Sequence, residues 1–209
     1  MMKKILCFGD SNTWGCSPVD SSRFDDKTRW PMVMGSILGA DYLIIEDGLN
    51  GRTVLNLSPV SITANGIEWI QSEIGNYLPL ETAIISLGIN DVFIGEDVTL
   101  QQISDGLENI IDIIRDSHTS GGYTTPEIII MSPPEYNTEI EGAQFFELQI
   151  NKLKGLPETY MKLSLKKNCH FFNAADYVRG SVIDGSHLDS QSHILLGRKA
   201  AEFISDRIK

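Results

Sequence analysis

Five brief apolar runs, 5–8, 42–45, 83–87, 128–131 and 171–172, are bounded by Gly, Asp, Asn or Pro, and amphipathic stretches lie between them. No other feature narrows the fold as much. The runs are continuously apolar rather than alternating, which suits strands covered on both faces, as in a parallel sheet. The intervening stretches carry helix punctuation. Thr99 with Gln102 makes a capping box, after which Leu100, Ile103, Leu107, Ile110, Ile111 and Ile114 fall on one helical face. Asn65 with Glu68 opens a similar helix, striped by Ile67, Ile70, Ile74 and Leu78. A helix from about Ala143 should break near Gly155-Leu156-Pro157 and restart, since proline suits a first-turn position. Ser192 is expected to cap the last helix, with Ile194, Leu195, Ala201, Ile204 and Ile208 turned inward. Strands alternating with helices predict a three-layer α/β domain with right-handed crossovers.

A chain of 209 residues and 23.2 kDa can build this around one core, so a single domain over 1–209 is expected. With 17 Lys and Arg against 28 Asp and Glu, the net charge of −11 repels polyphosphates and anionic membranes. Neither nucleic acid nor membrane is the expected partner; a small neutral or cationic molecule is. No apolar stretch approaches the ~20 residues of a membrane span. The opening apolar run ends at Gly9-Asp10, short of the ~7–15 residues of a signal-peptide core. Cys7, Cys16 and Cys169 make an odd count without a C-x-x-C spacing, which argues against a disulfide framework or a zinc site. The expectation is a reduced, cytoplasmic protein with no metal and no cofactor.

In a parallel sheet, ligands sit at the carboxyl ends of the strands. Four of those ends are Gly9-Asp10-Ser11-Asn12, 47–51, Gly88-Ile89-Asn90-Asp91 and Ser132-Pro133-Pro134, and Asp184-Gly185-Ser186-His187 follows the last run. Ser11 can present its hydroxyl at the sheet edge, although Gly-Asp-Ser is also common turn vocabulary. A serine nucleophile needs a base, and only four histidines are available. His118 ends a helical stripe, where a charge would suit the helix dipole. His170 leads into a strand, and His193 lies in the first turn of the last helix. His187 remains, with Asp184 three residues earlier to hold its Nδ1–H and leave Nε2 to face Ser11. Asn90 supplies a side-chain amide donor and Gly51 an unobstructed backbone N–H for a developing oxyanion. Each also has an ordinary turn role, so the order and placement of the set carry the reading.

Gly9-Asp10-Ser11-Asn12, Gly51, Gly88-Ile89-Asn90-Asp91 and Asp184-x-x-His187 resemble, in order, the four sequence blocks of the SGNH hydrolases, also called GDSL esterases. The 5–15 segment, Arg29-Trp30, the 45–53 segment and Ser132-Pro133-Pro134 are similar to motifs of its aryl-esterase and acyltransferase branch. The resemblance implies a flavodoxin-like α/β/α fold with five parallel strands in the order 2-1-3-4-5. It implies Ser11 as nucleophile, His187 as base and Asp184 as its orienter. The N–H groups of Ser11 and Gly51 and the Asn90 side chain would form the oxyanion hole. Short-chain esters of sugars or aryl alcohols would be the substrates, with acyl transfer to alcohols a further outcome, and assembly into a homo-oligomer is compatible with that branch. Two positions depart from the pattern. Asn12 replaces the usual Leu after the nucleophile, making the pocket floor more polar, and Cys16 stands where a bulky aromatic narrows the acyl pocket. Asp10, Trp14 and Arg52 are further expected neighbours of the pocket, with Arg52 the better candidate for pairing with an acid.

Two other readings remain. A thioesterase or lysophospholipase would share the fold, but an acidic surface without an exposed apolar helix disfavours a membrane-lipid substrate. A non-catalytic binding module would need a ligand motif, and neither G-x-G-x-x-G nor G-x-x-x-x-G-K-[ST] is present.

Overall fold

The computed structural model describes residues 2–57, 65–95 and 97–208. In chain order the elements are β1 (Lys3–Gly9), α1 (Ser11–Trp14), α2 (Trp30–Leu38), β2 (Tyr42–Gly48), α3 (Gly66–Tyr77), β3 (Thr82–Ser86), α4 (Ile89–Ile94) and α5 (Leu100–Ser120). Then come β4 (Glu127–Ser132), a 3-10 turn (Ala143–Phe146), α6 (Glu147–Leu153), α7 (Leu156–Lys167), β5 (His170–Asn173) and α8 (Ser190–Arg207). The strands form one parallel sheet in the order β2-β1-β3-β4-β5, as the resemblance implied.

Strand alternation splits the apolar runs between two cores. Leu6, Phe8, Ala83, Ile85, Ile128 and Ile130 face a core completed by α3, α5 and α7. Ile5, Cys7, Ile84, Ile129 and Met131 face the opposite one, completed by α2 and α8. Both faces being covered is why the runs read as continuous.

Local rules set most helix ends. Thr99 and Gln102 form the reciprocal capping box, and the Asn65 side chain accepts from the N–H groups of Ile67 and Glu68. The break before Pro157 also occurs, with α6 ending at Leu153 and α7 starting at Leu156.

Two expectations are corrected. The last helix is capped by Asp189, whose carboxylate accepts the Ser192 N–H at 2.8 Å, and not by Ser192. An acid there satisfies an orphan N–H and also meets the positive end of the helix dipole. Its inward face includes His193, Leu196, Ala200, Ala201 and Ile204, while Leu195 is 40% exposed. The apolar run 194–196 offers more than one face can bury. His118 is not a surface charge at a helix end: it is fully buried, with Nδ1 2.8 Å from the Ile114 carbonyl and Nε2 accepting the Leu80 N–H at 2.9 Å. That pattern needs a neutral ring with its proton on Nδ1.

Two glycines bring the carboxyl ends of the strands together. A Cβ on Gly48 would run into the backbone of Thr13 and Trp14, so the end of β2 lies directly against α1. Gly88 adopts φ +119°, and a Cβ there would also meet the Tyr160 hydroxyl, which donates to the Leu87 carbonyl at 2.9 Å.

Candidate active site

Ser11 owes its position to Asp10. The Asp10 carboxylate caps α1 by accepting the Asn12 N–H at 2.9 Å, so Ser11 becomes the first helical residue. Its N–H therefore lacks an intrahelical acceptor, and none is present among the described residues. Gly15, at φ +90°, ends the helix after a single turn. The hydroxyl is thus fixed just beyond β1, with a backbone donor beside it.

His187 reaches Ser11 from the loop between β5 and α8. Its Nε2 lies 2.9 Å from Ser11 Oγ, and its Nδ1 lies 2.7 Å from Asp184 Oδ2. The other oxygen of Asp184 accepts the N–H groups of Ser186 and His187 at 3.1 and 3.0 Å and the Ser181 hydroxyl at 3.2 Å. Burial alone would push the Asp184 carboxyl up. The hydrogen bonds from the His187 ring and from the His187 and Ser186 main chain outweigh it and hold the group below its ordinary value. The His187 imidazole is pushed above its ordinary value, first by the Asp184 hydrogen bond and against the effect of burial.

Asn90 opens α4 at the end of β3. Its amide nitrogen donates to the Arg52 carbonyl at 3.0 Å, which leaves its second N–H available. Gly51 sits in the turn after β2 at φ +75°, with no atom within 4 Å of a Cβ built there. Because Asn90 holds the carbonyl of the residue after Gly51, these two expected donors are tied together.

A cavity of about 300 Å³ opens over Ser11, His187, Asp184 and Asn90, while Gly51 is not among the residues that line it. Ser11, Asn12, Asn90, Asp184, Ser186 and His187 form its polar side, and Ile89, Phe93, Tyr136, Ile140 and Phe146 its apolar side. Phe93 packs against Tyr136 and Phe146, with ring centroids 5.4 and 5.6 Å away. A larger cavity of about 570 Å³ lies at the other end of the sheet, beside Lys3, Lys4, Glu81 and Glu127. Its lysines are engaged, Lys3 with Glu81 at 2.9 Å and Lys4 with the carbonyls of Tyr77 and Leu78.

Residues 7–193 match the model of the GDSL-like lipase/acylhydrolase family. The chain belongs to that family. Among solved structures it is similar to an aryl esterase from M. smegmatis, at 32% identity and a TM-score of 0.89, covering 98% of this chain and 99% of that one. A carbohydrate acetylesterase from Sinorhizobium meliloti matches at 31% identity and a TM-score of 0.88, with the same coverage. A member of the lipolytic G-D-S-L family from Veillonella parvula, 16% identical with a TM-score of 0.69 and covering 97% and 98% of the two chains, shares the fold alone. A search of curated proteins returns no match.

This GDSL-like chain is an ester-hydrolysing enzyme, and its expected pocket set needs correction. Only Asn12 of the five additional residues lines the cavity. Asp10 is 3% exposed and serves as the cap; burial pushes its carboxyl up to about 6. Trp14 lies under the Arg23 guanidinium, 5.5 Å from its ring centroid. Cys16 is buried and donates its N–H to the Ser11 carbonyl at 3.0 Å, folding back behind α1. Arg52, 1% exposed, donates to the Gly9 and Asp47 carbonyls and to Asp47 Oδ1. It pairs with an acid, as composition suggested, and does not face the cavity. Asp91 likewise is structural, accepting the N–H groups of Val54 and Leu55, and burial raises its carboxyl to about 6.

The apolar wall is what sequence reasoning missed. Phe93 stands four residues after Ile89, the spacing that puts both on one side of α4. Tyr136 and Ile140 come from the 132–142 segment that follows β4. The family chain also exposes more apolar surface near this site than its sequence suggested: Phe145 and Leu148 are each 81% exposed, beside cavity-lining Phe146. Among the described residues no helix is long and apolar enough to cross a membrane.

Proposed function

We propose that this enzyme is a serine esterase that cleaves short-chain carboxylic esters of sugars or aryl alcohols through an acyl-enzyme. The supporting observation is the continuous hydrogen-bonded line from Ser11 Oγ to His187 Nε2 at 2.9 Å and from His187 Nδ1 to Asp184 at 2.7 Å. Ser11 attacks the ester carbonyl while His187 takes its proton. Asp184 holds the ring in the tautomer whose Nε2 is free and stabilises the imidazolium that forms. The tetrahedral oxyanion is met by the Ser11 N–H, the Gly51 N–H and the second N–H of Asn90. His187 then protonates the leaving alcohol. Water, or a second alcohol, resolves the acyl-enzyme with His187 again as base.

Size and polarity support the substrate class. A cavity near 300 Å³ is at the small end of ligand pockets, and its apolar side suits a short acyl chain or an aryl group. The aryl-esterase and carbohydrate-acetylesterase neighbours point the same way. The net charge of −11 favours an uncharged ester over an anionic one.

The test is hydrolysis of p-nitrophenyl acetate, butyrate and octanoate by the wild type and by Ser11→Ala. A burst of p-nitrophenol, greatest with acetate and lost in Ser11→Ala, is expected. Equal turnover in the variant removes Ser11 as nucleophile. A preference for octanoate, or for thioesters, replaces this substrate class with that of a lipase or thioesterase.

A further inference from the structure

Asn12 follows the proposed nucleophile directly and is 5% exposed. Its side-chain amide makes two hydrogen bonds across the molecule. Nδ2 donates to the Ser186 carbonyl at 3.1 Å, and Oδ1 accepts the Leu188 N–H at 2.9 Å. These partners lie 174 and 176 residues further along the chain, one on each side of His187.

The other main-chain bonds around His187 are local or run to the segment after β4, where the Asn137 N–H donates to the Gly185 carbonyl at 2.9 Å and the Tyr136 hydroxyl to the Asp184 carbonyl at 3.4 Å. The N–H groups of Ser186 and His187 go to Asp184, and the His187 carbonyl accepts the Ser181 N–H at 2.8 Å. These bonds shape the 181–188 loop and tie it to the 132–142 segment, but none of them reaches the turn that carries Ser11. Among the described residues, only the Asn12 pair fastens the main chain beside His187 to the turn that carries Ser11. Two bonds from one planar amide fix both spacing and orientation, because neither can lengthen without bending the other.

We propose that Asn12 is a positioning residue that sets the separation between Ser11 Oγ and His187 Nε2. The inference rests on the acyl-enzyme reading above. Asp184 then governs the basicity and tautomer of His187, and Asn12 governs its distance from the nucleophile. The side chain does this through the peptide groups on either side of the histidine, not through the ring.

Asn12→Ala removes both bonds and leaves the hydrogen bond between His187 and Asp184 in place. Displacing a reacting group by about 1 Å costs on the order of 100-fold. The expected result is an acylation rate lower by about 10- to 100-fold in the stopped-flow burst with p-nitrophenyl acetate. KM should stay within about twofold and the acid limb of the pH profile should not move. Asn12→Asp, nearly isosteric, keeps the acceptor for Leu188 and loses the donor to Ser186 until the introduced carboxyl takes up a proton. Its acylation rate relative to wild type should therefore rise as pH falls, and it serves as the test if Asn12→Ala does not fold.

Ser11→Ala is measured alongside. No Ser11-dependent burst in the wild type overturns the acyl-enzyme reading itself. A Ser11-dependent burst that is equally fast in Asn12→Ala overturns only the positioning role. So does a raised KM with an unchanged saturating rate, which would make Asn12 a substrate contact. A rate ratio for Asn12→Asp that is flat with pH refutes it as well.

Discussion

Replacing Arg52 by Met should damage stability far more than substrate binding. The guanidinium is 1% exposed, donates to the Gly9 carbonyl at 3.1 Å, the Asp47 carbonyl at 2.6 Å and Asp47 Oδ1 at 2.9 Å, and lies 4.5 Å from the Phe8 ring centroid. Met refills the aliphatic space but leaves the Asp47 carboxylate without its cation. Asp47 keeps two donors, Trp69 Nε1 at 2.8 Å and the Tyr77 hydroxyl at 2.9 Å, both on Oδ2. Stranding one member of a buried pair costs about 3–5 kcal/mol. The lower end applies here, because Oδ2 stays solvated by those donors and because Arg52 Nε, which has no partner among the described residues, is removed. At about 2–4 °C per kcal/mol for a chain of this size, the melting temperature should fall by about 6–12 °C. Calorimetry measures the fall, and ester kinetics well below the melting temperature should show KM within about twofold. A melting point unchanged within about 2 °C refutes the argument from burial, and a KM raised tenfold would return Arg52 to the substrate site.

Three further outcomes are expected. Asn90→Ala should lower kcat by about 10²–10³ with little change in KM, as loss of an oxyanion donor does, and a change confined to KM would count against that role. The His187 imidazole, raised chiefly by its bond to Asp184, should titrate above 6.5 by NMR, so activity that needs the neutral base rises with pH through that midpoint; in Asp184→Asn the titration should shift down, because burial then outweighs the remaining pull of the Asp10 charge. His193 is fully buried near Phe24, neither ring nitrogen has a partner among the described residues, and burial pushes it down to about 4. A folded value below the unfolded one means stability held above pH 6.5 and lost as pH falls toward 4, amounting to roughly 3 kcal/mol. Asp10 and Asp91, raised to about 6, act with the opposite sign over much of the same range, so the readout is the difference between His193→Phe and wild type in denaturant titrations across pH. A difference that does not vary with pH would refute it.

What the sequence disclosed and what it hid follow from how local each determinant is. The strands were legible because both faces of the sheet are covered, and the capping box at Thr99 because its partners are three residues apart. Ser11, His187 and Asp184 stood out through turn chemistry and motif order, and the structure brings their side chains within hydrogen-bonding distance. The pocket wall was not legible. Phe93, Tyr136 and Phe146 are ordinary aromatics until the helix after Gly88 and the segment after β4 converge. Trp14 and Cys16 leave the expected pocket because α1 lasts one turn, so both fold back onto the scaffold instead of following Ser11 into the cavity. The role of Asn12 was hidden for the reverse reason, since its partners lie at the far end of the chain.

That distance also bears on synthesis. Ser11 leaves the ribosome well before the Asp184–His187 loop, which follows β5, the last of the five strands in chain order. A nascent chain can carry the nucleophile turn and both of its neighbouring strands while having no base within reach. Reactivity toward esters should then appear late and abruptly, when the final loop docks, and not grow gradually with chain length. Fragments released before that point would present an inert serine, so the arrangement couples the onset of chemistry to completion of the sheet.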